Sequence, residues 1–302
     1  MEVSLFCLPI IIIGILGNSL IIVYFIKTQK NGLKKMSSYH FLIIQLAIAD
    51  LLVSSCSPLV FLVQEYKVLI SDFFCKMNSL FLFAFPSISC WILVLLSYER
   101  DQAIIYPFKP KTKKWKLQIA CFIIWVVFCL AYLKLSLHTE LQNGGCIGTL
   151  NVEALIYTIF TFVSDCLVPL TFMAFFYVRM SRNMKSIECF DKNIGNNQII
   201  KRKKRALKTV LCLTIAYTLF VVPGRIMVLV MDFLLYFEEK LILSSFSLTF
   251  LTIWKLVVLQ WIMINNLANV FIYFILMKDF RRFLTLVITC GRNETRSLSL
   301  SE

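Results

Sequence analysis

Residues 77–107 read MNSLFLFAFPSISCWILVLLSYERDQAIIYP. The stretch carries no charge until Glu99-Arg100-Asp101 closes it. As an α-helix its apolar part, 77–99, is about 35 Å long, enough to cross ~30 Å of hydrocarbon. Six more stretches of this kind flank it, at approximately 4–26, 40–63, 117–138, 154–178, 207–231 and 247–276. A membrane β-barrel would need shorter, alternating segments, and those are absent from the sequence. The expected fold class is an all-α membrane protein, a seven-transmembrane helix bundle forming one domain over 1–302, with a short amphipathic helix at 278–289 and a tail at 290–302.

Composition agrees. Apolar residues make up 59% of the 302, and charged ones only 16%, too few for an ordinary soluble domain. The first stretch could be a cleaved signal, but Met1-Glu2-Val3 has no basic residue and the apolar run is too long. It reads as a true span.

The net charge of +14 could indicate nucleic acid or a membrane surface. Its distribution decides. The loops after the first, third and fifth spans, with the tail, hold 25 Lys+Arg and 7 acids. The opposite side holds 6 basic residues and 9 acids. Positive-inside bias predicts an extracellular N-terminus and a cytoplasmic tail at the plasma membrane. Lys34-Lys35, the run from Lys109 to Lys116 and the run from Lys201 to Arg205 then face anionic membrane lipids, and no nucleic-acid partner is expected.

Polar residues within the spans are costly and suggest function. Asp50 lies mid-span, and Asn18, Ser89, Asn265 and Asn269 lie at comparable depth in other spans. Together they suit either a hydrogen-bonded centre gluing helices or a cation site of one carboxylate and neutral oxygens. Asp165 lies four residues before Pro169 in the fifth span, and Arg225 two after Pro223 in the sixth. They could pair inside the bundle and line a cavity, or each could face outward to water.

In order and position these motifs resemble one family, the rhodopsin-like (class A) G-protein-coupled receptors, of peptide-receptor type. Gly17-Asn18 resembles the family's first-span GN, and Leu46-Ala47-Ile48-Ala49-Asp50 its second-span LAxxD. Cys75 opens the third span and Glu99-Arg100-Asp101 closes it. Trp125, Pro169 with Tyr177, Pro223, and Asn269 with Tyr273 suit the later spans. The resemblance implies a Cys75–Cys146 bridge between the third span and the loop after the fourth. It implies Arg100 as the switch facing a heterotrimeric G protein, held at rest by Glu99, with Tyr177 and Tyr273 swinging toward it. It also implies an allosteric sodium ion at Asp50, Ser89 and Asn269, with Asn18 and Asn265 in the surrounding network; no other cofactor and no enzymatic activity are expected. Cys290, after the amphipathic segment, is a palmitoylation candidate.

The sequence also departs from the family. The seventh-span NPxxY reads Asn269-Val270-Phe271-Ile272-Tyr273, without proline, and Val221 replaces the sixth-span tryptophan. Lys201 to Arg205 supply no acid to latch Arg100, so a weak resting latch is expected. Leu82 stands where amine receptors carry Asp, and Met263 where opsins carry Lys. The segment before the first span is too short for a binding domain and lacks a glycosylation acceptor. A ligand is therefore expected in the bundle or on the outer loops, with Leu82, Phe83, Asp165, Val221, Arg225 and Lys255 as candidate cavity residues. The acidic outer face favours a cationic ligand, first of all a small peptide. A lipid or small chemosensory molecule is the alternative, and a transporter or channel the competing class. The stretch from Asp191 to Gln198 reads as a flexible third inner loop.

Overall fold

The computed structural model describes residues 2–28, 36–65, 71–106, 114–137, 139–142, 145–148, 152–193, 197–238 and 264–288. Nearly all of them are helical. In chain order come α1 (Glu2–Lys27), α2 (Ser38–Glu65), α3 (Asp72–Ile105), α4 (Lys114–Leu137), α5 (Val152–Phe162), a π-turn at Val163–Leu167, α6 (Val168–Asn193), α7 (Asn197–Phe220), α8 (Val222–Glu238), α9 (Ile264–Leu276) and α10 (Lys278–Ile288). Among the described residues, six helical segments are long and apolar enough to cross a membrane. Two of these are joined helices: α5 continues through the π-turn into α6, and α7 into α8 past a break at Val221. The shorter apolar α9 lies within the expected seventh span.

The middle helix is α3. It packs against α2, α4, α6 and α7, and its middle, from Ala84 to Ser97, is mostly buried. At its start Ser71 caps the helix, its Oγ accepting from the Phe74 amide at 3.2 Å. The helix runs unbroken past Pro86 to Ile105. The α4 helix, in contrast, keeps only a narrow stripe inside (Leu117, Cys121, Phe128, Tyr132) and exposes Trp115, Phe122, Val126, Leu130 and Leu137. A helix apolar all round belongs in lipid rather than water.

The first helix approaches its neighbours closely through two glycines. A Cβ on Gly14 would lie 2.6 Å from Ser54 Oγ, and one on Gly17 would lie 2.7 Å from Val270 Cγ1. Only a hydrogen side chain permits that approach. Val270, which replaces the proline of the family's seventh-span pattern, thus packs on Gly17, and α9 stays helical through it.

Two expectations need correction. Several helices outrun the apolar spans, and both described ends of the expected flexible loop from Asp191 to Gln198 are helical: α6 persists to Asn193 and α7 begins at Asn197. Polar helix formers there continue the turn where hydropathy alone marks an end. A two-stranded antiparallel hairpin, β1 (Thr139–Gln142) and β2 (Gly145–Gly148), adds a small sheet to the helices among the described residues. The α10 helix is strongly amphipathic, as expected, with Phe280 buried against Tyr24. Arg281 Nη1 donates to the carbonyl of Ile275 at 2.6 Å, satisfying an end of α9.

Candidate functional site

Three polar centres lie along α3. At its hairpin end, Cys75 is bonded to Cys146 of β2. The Leu141 amide of β1 donates to Asp72 Oδ1 at 3.1 Å, and Lys76 pairs with Asp72 at 2.7 Å. The hairpin is fastened to α3 covalently and by these polar contacts.

The second centre is Asp50, fully buried on α2. Ser89 of α3 donates to its Oδ1, and Asn269 Nδ2 of α9 donates to its Oδ2, each at 2.7 Å. Three helices therefore meet on one carboxylate. Asn18 does not join them directly: its Nδ2 donates to the Gly14 carbonyl within α1, at 3.0 Å. The Oδ1 atoms of Asn18 and Asn265 are buried without hydrogen-bond partners among the described residues.

The third centre is Asp165, and the backbone explains its position. In an α-helix the Ser164 carbonyl would accept from Val168, and the Asp165 carbonyl from residue 169. Residue 169 is proline and has no N–H. Val168 N–H instead reaches back to the Val163 carbonyl, the π spacing. Both displaced carbonyls find donors on α3: Trp91 Nε1 to Ser164 O at 3.1 Å, and Cys90 Sγ to Asp165 O at 3.6 Å. The side chain of Asp165 then lies between helices. Arg225 Nη2 of α8 is 3.0 Å from its Oδ2, with the two side chains 5% and 1% exposed. Tyr132 of α4 donates to Oδ2 at 2.6 Å, Ser87 of α3 donates to the same oxygen, and Ser164 donates to Oδ1 at 2.9 Å. Of the two expectations for Asp165 and Arg225, the paired one is present. Of the other cavity candidates, Leu82 and Phe83 are half-buried, Phe83 stacking on Tyr132, and Val221 is buried at the α7–α8 break.

At the far end of α3 the charged triplet splits two ways. Arg100 bonds Glu99 through Nε at 2.6 Å and Nη2 at 2.5 Å, and its guanidinium lies 3.7 Å from the centre of the Tyr39 ring of α2. Asp101, fully buried, faces the other way and accepts from Arg179 of α6 through Nη2 at 2.6 Å and Nε at 3.1 Å. Gln102 Nε2 adds a third bond at 3.2 Å. Asp101 is therefore a strut between α3 and α6. Tyr177 is half-buried on α6, whereas Tyr273 is buried, its hydroxyl without a partner among the described residues. Lys255 and Cys290 lie outside the described residues.

Sequence reasoning missed Ser87, Tyr132, Ser164, Tyr39 and Arg179. Ser87 carried a signal: two residues from Ser89, it points about 200° away on the helix, so one serine serves each buried carboxylate. Tyr39 and Arg179 carried none, because a ring beneath a guanidinium and a fork across two helices are tertiary events.

The family model of the 7 transmembrane receptor (rhodopsin family) matches residues 17–273. The chain is 26% identical over 211 residues to the type-2 angiotensin II receptor of Homo sapiens, covering 64% of this chain and 56% of that receptor. The Ovis aries type-2 receptor is 26% identical over 208 residues, 63% of this chain and 55% of its own length. The type-1 angiotensin II receptor of Bos taurus is 32% identical over 133 residues, 43% of this chain and 36% of that receptor. The match to the type-2 relatives spans little more than half of their length. With the bundle, the bridged hairpin and the charged triplet in place along α3, the chain belongs to the rhodopsin family of seven-transmembrane receptors, a receptor family and not an enzyme family.

Proposed function

We propose that the protein is a plasma-membrane receptor that converts binding of an extracellular peptide into activation of a heterotrimeric G protein. Its N-terminus would be extracellular and its tail cytoplasmic, as the charge asymmetry favours. The observation that carries the reading is the arrangement on α3: Arg100 sits at one end in a two-bond pair with Glu99, and the bridged hairpin sits at the other. A cytoplasmic partner that takes up the Arg100 guanidinium has only to draw it from Glu99 and the Tyr39 ring. The names of the relatives favour a peptide as the ligand, and the basic run at the start of α7, Lys201 to Arg205, would place positive charge near anionic lipid head groups.

Asp50 with Ser89 and Asn269 would hold a sodium ion, and the partnerless oxygens of Asn18 and Asn265 suit a hard cation that takes oxygen ligands. When bound, the ion would supply a positive charge opposite a carboxylate that otherwise has only neutral donors.

The test is guanine-nucleotide exchange in membranes carrying the full chain and a promiscuous G protein, challenged with a peptide library. Exchange above background that disappears in Arg100→Ala at equal surface density supports the reading. Solute flux in liposomes without exchange would replace it with a transporter.

A further inference from the structure

Asp165 and Arg225 do not depend on each other equally. Asp165 has hydroxyl donors of its own, from Ser87 and Tyr132 on Oδ2 and Ser164 on Oδ1. Arg225 has one acceptor among the described residues, Asp165 Oδ2, for a guanidinium with several N–H groups. Its Nε is buried with no hydrogen-bond partner among the described residues, and its side chain is 5% exposed. If the pair separates, the carboxylate stays satisfied and the guanidinium is left bare in a water-poor site. Arg225 is the member that needs a replacement, and the replacement must be an acceptor, best an anion.

The pair is also a mechanical joint. Thr158 of α5 donates to Asp232 of α8, and both of these residues lie seven positions from Asp165 and Arg225 respectively. The two contacts thus fall about 10 Å apart along one seam. Pro223, at the start of α8, has no N–H to bond back into α7, so α8 can tilt relative to α7 once this seam loosens.

Resting on the receptor reading above, we propose that Arg225 recognises a carboxylate on the ligand, and that its pair with Asp165 is the lock which that carboxylate opens. The ligand group takes over the guanidinium, Asp165 remains with its hydroxyls, and α8 is released from the π-turn of the fifth span. A peptide C-terminus and a fatty-acid head group both present this chemistry.

The test removes the competing carboxylate and supplies a free one. Purified full-length Asp165→Asn is melted in nanodiscs with N-acetylleucine, N-acetylleucine amide or octanoate. A carboxylate bound at Arg225 raises Tm by about 2–4 °C at saturating ligand, and the rise is absent in Asp165→Asn/Arg225→Gln. A larger shift with N-acetylleucine assigns the site to a peptide end, and a larger one with octanoate to a lipid. No shift, an equal shift with the amide, or a shift that survives Arg225→Gln overturns the site. Should Asp165→Asn not fold, Asp165→Ser, which the same hydroxyls can bond, carries the same test.

The lock is read separately. Ligand-free nucleotide exchange per surface receptor should rise several-fold in Asp165→Asn and return toward the wild-type level in the swap Asp165→Arg/Arg225→Asp. An unchanged level in Asp165→Asn overturns it. The melt involves no G protein, so a chain that never drives exchange would sink the receptor reading while leaving the carboxylate site intact.

Discussion

Gly17→Ala tests the closest approach in the bundle with the smallest possible perturbation. The added methyl would lie 2.7 and 2.9 Å from the two γ-carbons of Val270 and 3.3 Å from its Cβ. Carbon atoms rest at about 3.5–4.0 Å, so α1 and α9 must separate by most of an ångström, or Val270 must leave its rotamer. Overpacking of this kind costs about 1–3 kcal/mol. Against it stands the helix preference for Ala over Gly, about 1 kcal/mol. The net loss should be about 0–2 kcal/mol, the clash matching or outweighing the helix preference. In a Val270→Ala background the clash disappears and only the helix preference remains, so the same substitution should be neutral or stabilising there. Thermal melts of the detergent-purified chain, followed with a thiol-reactive dye on the buried Cys90, Cys121 and Cys166, give both numbers. A Gly17→Ala cost that is the same in both backgrounds would refute the contact.

Two other substitutions probe the ends of α3. Arg179→Ala strips Asp101 of two of its three side-chain bonds and leaves a buried carboxylate facing Gln102. With Arg179 itself 32% exposed, solvent screens part of the pair, and the melt should fall by the equivalent of about 1–3 kcal/mol; Asp101→Asn, which keeps an acceptor without the charge, should cost less, and the reverse order would be wrong for a strut. Cys146→Ser opens a loop of 71 residues, worth about 4 kcal/mol in chain entropy, so surface density should drop sharply and Cys75→Ser should add nothing to it; additive losses would show that the two cysteines act apart.

The spanning helices were legible because each is a long apolar run, and lipid leaves the backbone one way to bond such runs. Asp50 was legible because a carboxylate among Leu46, Ala49 and Leu51 has no cheap explanation. Its Ser89 and Asn269 partners followed from depth, whereas Asn18 donates within its own helix, which depth does not reveal. Asp165 and Arg225 stood out as charges near prolines, but their pairing required knowing that the two spans adjoin. The π-turn left only the proline as a trace, because the donors that sustain it, Trp91 and Cys90, sit on another helix. The hairpin was readable and missed: Gln142 pairs with Gly145, leaving Asn143-Gly144 between the strands, the dipeptide most favoured in a two-residue turn. The charged triplet was read as one unit, yet successive helical residues point about 100° apart, and Arg100 and Asp101 serve different neighbours.

The π-turn also uncouples the two ends of the fifth span. Each helical residue rotates the chain by about 100°, so an insertion or deletion ordinarily turns every face beyond it out of register. Here Val163–Leu167 takes up an extra residue within five positions, while Thr158 still meets Asp232 on one side and Arg179 still meets Asp101 on the other. The half of the helix that faces the hairpin end can therefore be re-indexed against α8 without disturbing the half that faces Arg100. The two ends of one helix are thus free to change separately.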